Sequence, residues 1–202
     1  MFRDFVAVAF TAASLAFALP AQATPKPGSP APGFTGVTSK GQEVSLSDFA
    51  GRKVILEWTN HDCPYVRKHY ESGNMQELQE DMTADGVAWI TIVSSKPGSQ
   101  GYVEAEEANA LTTSRGAAPD HVVLDPEGII GRDYDARTTP QMFLIDEAGT
   151  LLYMGAIDDQ PSSRRNTVPI AHNYVRAAYA EIMEGQPVSM AATKPYGCSV
   201  KY

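Results

Sequence analysis

The sequence is poor in cysteine, in positive charge and in long apolar segments. Its 202 residues include two cysteines, Cys63 and Cys198, which excludes a CxxC motif and the paired cysteines of a zinc finger. Its 16 Lys and Arg against 24 Asp and Glu give a net charge of −8, which is unfavourable for binding nucleic acid or an anionic membrane. No segment after residue 23 is apolar enough to cross a bilayer.

The first 23 residues have the layout of a secretory signal peptide. Arg3 precedes an uncharged apolar stretch at 5–19, and the small-x-small triplet at 21–23 is typical of a cleavage site. We therefore expect residues 1–23 to be removed on export to the periplasm, which leaves a mature chain free of the membrane. Exported proteins meet conditions that favour disulfides, so the two cysteines can form one intramolecular bridge.

The remaining residues predict one α/β domain between two irregular segments. Residues 24–32 are rich in Pro, Gly and Ser and predict an extended leader, residues 33–185 predict the domain, and residues 186–202 predict an irregular tail that carries Cys198. The order β-α-β-α-β followed by β-β-α predicts a mixed central sheet with helices on both faces. We expect strands at 54–58 and 87–93 as parallel neighbours, with a strand at 141–145 antiparallel to them.

Cys63 is the strongest candidate for chemistry. It follows a predicted buried strand and precedes Pro64, which is favoured at the first position of a helix; this helix is expected to run to about residue 82. A thiol at that position faces unpaired N–H groups and the positive end of the helix dipole, which favour the thiolate. His61 adds a possible positive charge. A thiolate in such a place attacks a peroxide or a disulfide, whereas the alternative is a buried structural half-cystine.

Four segments of the chain resemble known redox proteins. Residues 31–34 (APGF), 45–51 (SLSDFAG) and the strand–turn–Cys–Pro–helix around Cys63 resemble the AhpC/TSA (redoxin) branch of the thioredoxin superfamily. Residues 138–146 (TTPQMFLID) are similar to the Thr-Pro-x-x-Phe-x-Ile-Asp segment of TlpA and ResA type redoxins. The resemblance implies a thioredoxin-like fold, oxidoreductase activity of antioxidant type and no bound cofactor or metal. It also implies a cis bond between Thr139 and Pro140, with Pro140 against Cys63.

The segment around Cys63 also departs from the named activities within that superfamily. Val66 stands where TlpA-like reductases have a second cysteine, and Asn60 stands where peroxiredoxins have Thr or Ser. Pro64 stands where glutathione-peroxidase-like proteins have Gly. Arg137, just upstream of the Thr-Thr-Pro segment, is a candidate to stabilise a thiolate or a peroxide oxygen through a charge-assisted hydrogen bond. The fold is therefore better determined than the substrate.

Three hypotheses for the function follow. In the first, Cys63 attacks a small hydroperoxide or a protein disulfide, Cys198 resolves the intermediate, and an electron-donor protein restores the thiols. In the second, a permanent Cys63–Cys198 disulfide fastens the tail of a non-catalytic periplasmic binding module. In the third, Cys63 and His61 handle copper. Pro195 and Gly197 bracket Tyr196, which predicts a shaped turn that presents Cys198.

Overall fold

The computed structural model describes residues 24–202, and the predicted signal peptide at 1–23 lies outside the described residues. The strands are Thr35–Thr38 (β1), Glu43–Ser45 (β2), Val54–Trp58 (β3), Ala88–Val93 (β4), His121–Leu124 (β5), Thr138–Thr139 (β6), Gln141–Ile145 (β7), Leu151–Gly155 (β8) and Cys198–Ser199 (β9). The α-helices are Pro64–Glu71 (α1), Asn74–Ala84 (α2), Ala105–Ser114 (α3), Ile129–Asp133 (α4) and Tyr174–Met183 (α5). Between residues 24 and 202, no helix combines the length and apolarity needed to cross a membrane.

Seven strands form one mixed sheet in the order β2-β1-β5-β4-β3-β7-β8. β3 is parallel to β4, with Leu56 opposite Ile90, and antiparallel to β7, with Leu56 opposite Phe143. This arrangement confirms the predicted pairing of the three strands. Every residue of β3, β4 and β7 is buried, as expected for central strands covered on both faces.

Helices cover both faces of this sheet. On one face, Trp58 packs against Tyr134 and Phe143, with ring centroids 5.2 and 5.1 Å apart, next to α4. On the other face, Ile55 and Trp89 pack with buried apolar side chains of α1, α2 and α5. Successive residues of a strand point to opposite faces, so each central strand contributes to both layers. The predicted α/β class with a mixed sheet is confirmed.

The helix predicted from Pro64 to about residue 82 is two helices. Gly73 has a left-handed backbone (φ 79°) and its N–H donates to the carbonyl of Tyr70, which closes α1 before α2 begins at Asn74. Left-handed backbone is readily adopted by glycine and ends helices for that reason. α1 is therefore a separate helix of eight residues, with Cys63 at its N-cap.

The two segments predicted to be irregular both pair with the domain. The leader runs beside β8, where the N–H of Gly28 donates to the carbonyl of Leu151 at 2.8 Å and that of Leu151 donates to Ser29 at 2.9 Å. The tail contributes the two-residue strand β9, and outside β9 residues 186–202 form no helix or strand. Backbone pairing of this kind depends on neighbours far away in the sequence, which a local pattern of Pro and Gly does not reveal.

Candidate active site

Cys63 lies at the N-cap of α1, directly before Pro64, as predicted. The turn that places it there is held by Asn60. The carbonyl of Asn60 accepts a hydrogen bond from the N–H of Cys63 at 3.0 Å, and its side-chain oxygen accepts one from the N–H of Asp62 at 2.9 Å. Asn60 and Cys63 are both essentially buried. Asn60 therefore shapes the loop that presents the thiol to the helix N-terminus.

The bond between Thr139 and Pro140 is cis, which confirms that prediction. The Cys63 thiol donates to the carbonyl of Thr139, with 3.1 Å between sulfur and oxygen. The loop before Pro140 is shaped by Gln141, which sequence reasoning missed. Its side-chain oxygen accepts from the backbone N–H of Arg137 at 2.9 Å and of Thr138 at 3.3 Å. A buried amide at the start of a strand is the only local signal that pointed to this role.

The C-terminal tail brings Cys198 to Cys63. β9 pairs antiparallel with β6, with Cys198 opposite Thr139, and the N–H of Val200 donates to the carbonyl of Arg137 at 3.0 Å. Both cysteines are free thiols, and Cys198 lies within hydrogen-bonding reach of Cys63. Burial, then the hydrogen bond to Cys63 and the charge of Cys63, raise the pKa of Cys198 to about 12. At neutral pH Cys198 is therefore a thiol.

A buried polar cluster fastens the tail to the helix that carries Cys63. The Lys68 ammonium, fully buried on α1, lies 3.3 Å from a carboxylate oxygen of Asp158 and 3.1 Å from the hydroxyl of Tyr196. That hydroxyl donates to the other carboxylate oxygen of Asp158 and lies 3.4 Å from Nε2 of His69. Burial, followed by the neighbouring Lys68 charge, lowers the pKa of His69 to about 3, so the imidazole is neutral.

Sequence reasoning did not find this cluster. No local motif marks Lys68 or Asp158 as part of a site. The one available signal was Tyr196 between a proline and a glycine. Lys68 and Tyr196 are about 130 positions apart in the sequence, so the cluster has no short motif that would identify it.

Two predicted site residues are directed elsewhere. The Arg137 guanidinium binds the carboxylate of Asp135, with Nη2 to Oδ2 at 2.7 Å, and its side chain is 72% exposed. It therefore does not reach the fully buried Cys63, and the predicted hydrogen bond to the thiolate is not made. Nε2 of His61 lies 3.4 Å from the carboxylate of Asp62. Within residues 24–202 no group of three His, Cys, Asp or Glu side chains is arranged to hold a metal.

Comparisons with known proteins bear on this geometry. A protein-family model described as Redoxin matches residues 26–174. The chain is 29% identical over 116 residues to sporulation thiol-disulfide oxidoreductase A of Bacillus subtilis (strain 168); the match covers 56% of this chain and 64% of that relative, less than two thirds of its length.

Two solved structures resemble this fold. An uncharacterized conserved protein from Geobacillus kaustophilus has a TM-score of 0.76 and 26% identity, covering 87% of this chain and 92% of that one. The thioredoxin domain of a thiol-disulfide oxidoreductase from Bacteroides vulgatus has a TM-score of 0.52 and 21% identity, covering 71% and 96%. The fold is therefore thioredoxin-like.

Proposed function

The chain belongs to the redoxin family, and from that premise we propose that it is an exported thiol oxidoreductase whose redox pair is Cys63 and Cys198. One observation carries the proposal: β9 places Cys198 opposite Thr139, whose carbonyl accepts the hydrogen bond of Cys63. Two thiols held at the N-terminus of a helix and beside a cis-proline are positioned to form a disulfide with each other. The relatives named as thiol-disulfide oxidoreductases support the reaction class.

The proposed reaction with a partner disulfide has two displacements. The Cys63 thiolate attacks one partner sulfur; a mixed disulfide forms and the other partner sulfur leaves as a thiolate, which takes up a proton. Cys198 then loses its proton and attacks the Cys63 sulfur, which releases the second partner thiolate. The second partner thiolate also takes up a proton; the two protons are the one that Cys63 lost on ionising and the one from Cys198. The partner thus gains two electrons and two protons, and this chain ends with a Cys63–Cys198 disulfide.

The environment of Cys198 suits the second displacement. Two causes of its raised pKa are the hydrogen bond to Cys63 and the charge of Cys63. Once Cys63 is bonded to the partner it carries no charge, so both causes are removed while burial remains. Cys198 is thus held as a thiol until Cys63 has reacted, and then becomes easier to ionise.

A protein disulfide is the electrophile that the geometry favours over a hydroperoxide. The edge of β6 accepts an extended strand with a cysteine at the level of Thr139, as β9 shows. Arg137, the residue predicted to stabilise a peroxide oxygen, binds Asp135 instead. Export through residues 1–23 and an electron-donor protein that restores the thiols complete the proposal, supported by the layout of the N-terminus and by the chemistry of the pair.

Single-cysteine variants test the proposal. Reduced wild type, Cys63→Ser and Cys198→Ser are each mixed with glutathione disulfide, alkylated at intervals and weighed by mass spectrometry. We expect the wild type to form the internal disulfide, Cys198→Ser to accumulate a glutathione adduct on Cys63, and Cys63→Ser to react least. The same series with hydrogen peroxide shows whether Cys198→Ser traps a sulfenic acid faster than a glutathione adduct, which would make peroxide the substrate.

The permanent-disulfide hypothesis predicts a different result. If the pair is only structural, Cys63 in Cys198→Ser reacts with both oxidants no faster than cysteine in an unfolded peptide of the same sequence. That outcome would contradict the catalytic proposal. Reduction of the wild type would then show its effect mainly in stability, by roughly 4–5 kcal/mol in the chain-entropy model for so long a loop.

A further inference from the structure

The backbone of the tail meets β6 at a point where only glycine fits. Gly197 has φ 137°, and a Cβ added to it would lie 2.0 Å from the carbonyl oxygen of Thr139. Real Cβ atoms do not approach a backbone oxygen so closely, and an L side chain rarely adopts this φ. This is the same carbonyl that accepts the hydrogen bond of Cys63. The surface therefore requires a glycine directly before the cysteine that is presented to Cys63.

The residue before that glycine enters a socket built for an aromatic hydroxyl. The Tyr196 ring packs edge-on against the Tyr65 ring with centroids 5.8 Å apart, and the Lys68 ammonium lies 5.2 Å from the centre of the Tyr196 ring. The hydroxyl accepts from Lys68 and donates to Asp158, both of which are buried. Without a hydroxyl at this position, two buried charged groups each lose a hydrogen-bond partner, which is costly.

The tail itself occupies the edge of β6. Within residues 24–202, β6 pairs with β9 in a sheet of those two strands. A β edge with its own N–H and C=O groups available binds another extended strand through its main chain, and flanking pockets then select side chains. The tail fills all three features at once: the edge, the glycine position and the tyrosine socket.

We propose that the surface around Thr138–Thr139 recognises an extended aromatic–glycine–cysteine segment of a partner protein, and that the chain's own tail occupies this surface at rest. The inference rests on the proposed function in one respect: the partner cysteine is the one that would exchange with Cys63. Recognition itself needs no redox step. The partner displaces β9 as it binds, and β9 returns to Thr139 with Cys198 once the mixed disulfide has formed. The residue pattern Tyr-Gly-Cys describes what the surface accepts.

The test uses peptides without a thiol, so it reads recognition apart from redox activity. A labelled peptide with the sequence of residues 194–202, serine replacing cysteine, is titrated with the full-length protein and followed by fluorescence anisotropy. In the wild type the attached tail competes at high effective concentration, so binding is weak. In Gly197→Ala the tail no longer fits against Thr139, and we expect the peptide to bind at least tenfold more tightly.

Two controls make the result specific. Gly185→Ala also places alanine at a left-handed position (φ 71°), but nothing lies within 4 Å of its Cβ, so peptide binding should match the wild type. A second peptide with alanine in place of the glycine should bind Gly197→Ala at least tenfold less tightly than the glycine peptide. Equal binding of the two peptides, or equal binding by Gly197→Ala and the wild type, would overturn the proposal.

A second variant covers the case in which Gly197→Ala does not fold, as judged by circular dichroism. Val200→Pro removes the N–H that donates to the carbonyl of Arg137 at 3.0 Å, and so loosens the same strand from the other side. Val200→Pro should bind the glycine peptide more tightly than the wild type does, and more tightly than it binds the alanine peptide. No gain in a folded Val200→Pro protein would equally overturn the proposal.

Discussion

Replacing Glu57 tests the buried network beneath the candidate site. Glu57 lies on β3 and is fully buried. One of its carboxylate oxygens accepts from Trp89 at 3.0 Å, Gln79 at 3.1 Å and Thr91 at 3.2 Å, and the other accepts from Tyr70 at 2.9 Å. Leucine at this position leaves these donors buried without an acceptor. Each buried donor without an acceptor costs about 1–3 kcal/mol, so the four together lower the free energy of unfolding by at least ~4 kcal/mol. This is a large part of the stability of an ordinary domain.

Glutamine at the same position should be much milder. Its amide oxygen can keep the three bonds to Trp89, Gln79 and Thr91, while its amide group faces the Tyr70 hydroxyl, which is able to accept. We expect Glu57→Gln to cost about 1–2 kcal/mol in urea unfolding. Glu57→Leu should cost at least ~4 kcal/mol in the same assay. A leucine variant that loses less than ~2 kcal/mol would refute the network as the reason for this carboxylate.

The wild type and Glu57→Gln also allow a test of how stability changes with pH, and the direction of the change can be predicted. Burial raises the pKa of Glu57 above its ordinary value of 4.5, and the four hydrogen bonds offset only part of this. The folded state therefore holds this proton more tightly than the unfolded state. The resulting stability is fully present below pH 4.5 and is lost as the pH rises through the folded pKa. The advantage of the wild type over Glu57→Gln should shrink as the pH rises; an advantage that is constant from pH 4 to 8 contradicts the raised pKa.

Three further predictions concern the cluster that fastens the tail. Lys68→Met leaves the buried Asp158 carboxylate without its cation and should cost about 3–5 kcal/mol in urea unfolding, whereas adding Asp158→Leu should recover most of that loss. Tyr196→Phe should cost about 1.5–3 kcal/mol, more than the control Tyr202→Phe, whose hydroxyl donates to a neutral carbonyl of Ala136. The pKa of His69 is about 3 in the folded state and 6.5 ordinarily, so the free energy of unfolding of the wild type should fall as the pH drops from about 6.5 to 3. His69→Gln should remove this part of the dependence of stability on pH. The same dependence in wild type and variant would contradict a neutral His69.

The sequence predicted most of what depends on local pattern. Mostly apolar runs at 54–58 and 141–145 indicated the central strands, because strands buried on both faces are largely apolar, with Glu57 and Gln141 as buried polar exceptions. Pro64 marked the start of α1, and the resemblance at 138–146 predicted the cis bond. Together these features predicted Cys63 at a helix N-terminus.

Contacts between distant parts of the chain were not predictable in this way. Arg137 was expected near the Cys63 thiol because it directly precedes Thr138. Its guanidinium instead binds the carboxylate of Asp135, two residues before it in the sequence. Lys68 is buried on α1, and its partners Asp158 and Tyr196 arrive from other elements. Side-chain partners at such separations are decided by the tertiary fold and carry no periodicity.

The position of Cys198 makes the redox pair depend on how firmly the tail is held. In a CxxC protein the second sulfur comes from the same helix turn, whereas here that position is Val66, a buried apolar residue of α1. The second sulfur instead comes on a strand held by Gly197 against Thr139 and by Tyr196 against Lys68 and Asp158. The stability of an internal disulfide rises with the effective concentration of its two thiols, and that concentration falls as the segment bearing one of them becomes free. Weakening the contact of Gly197 or that of Tyr196 should therefore make the Cys63–Cys198 disulfide easier to reduce, although neither change alters a cysteine.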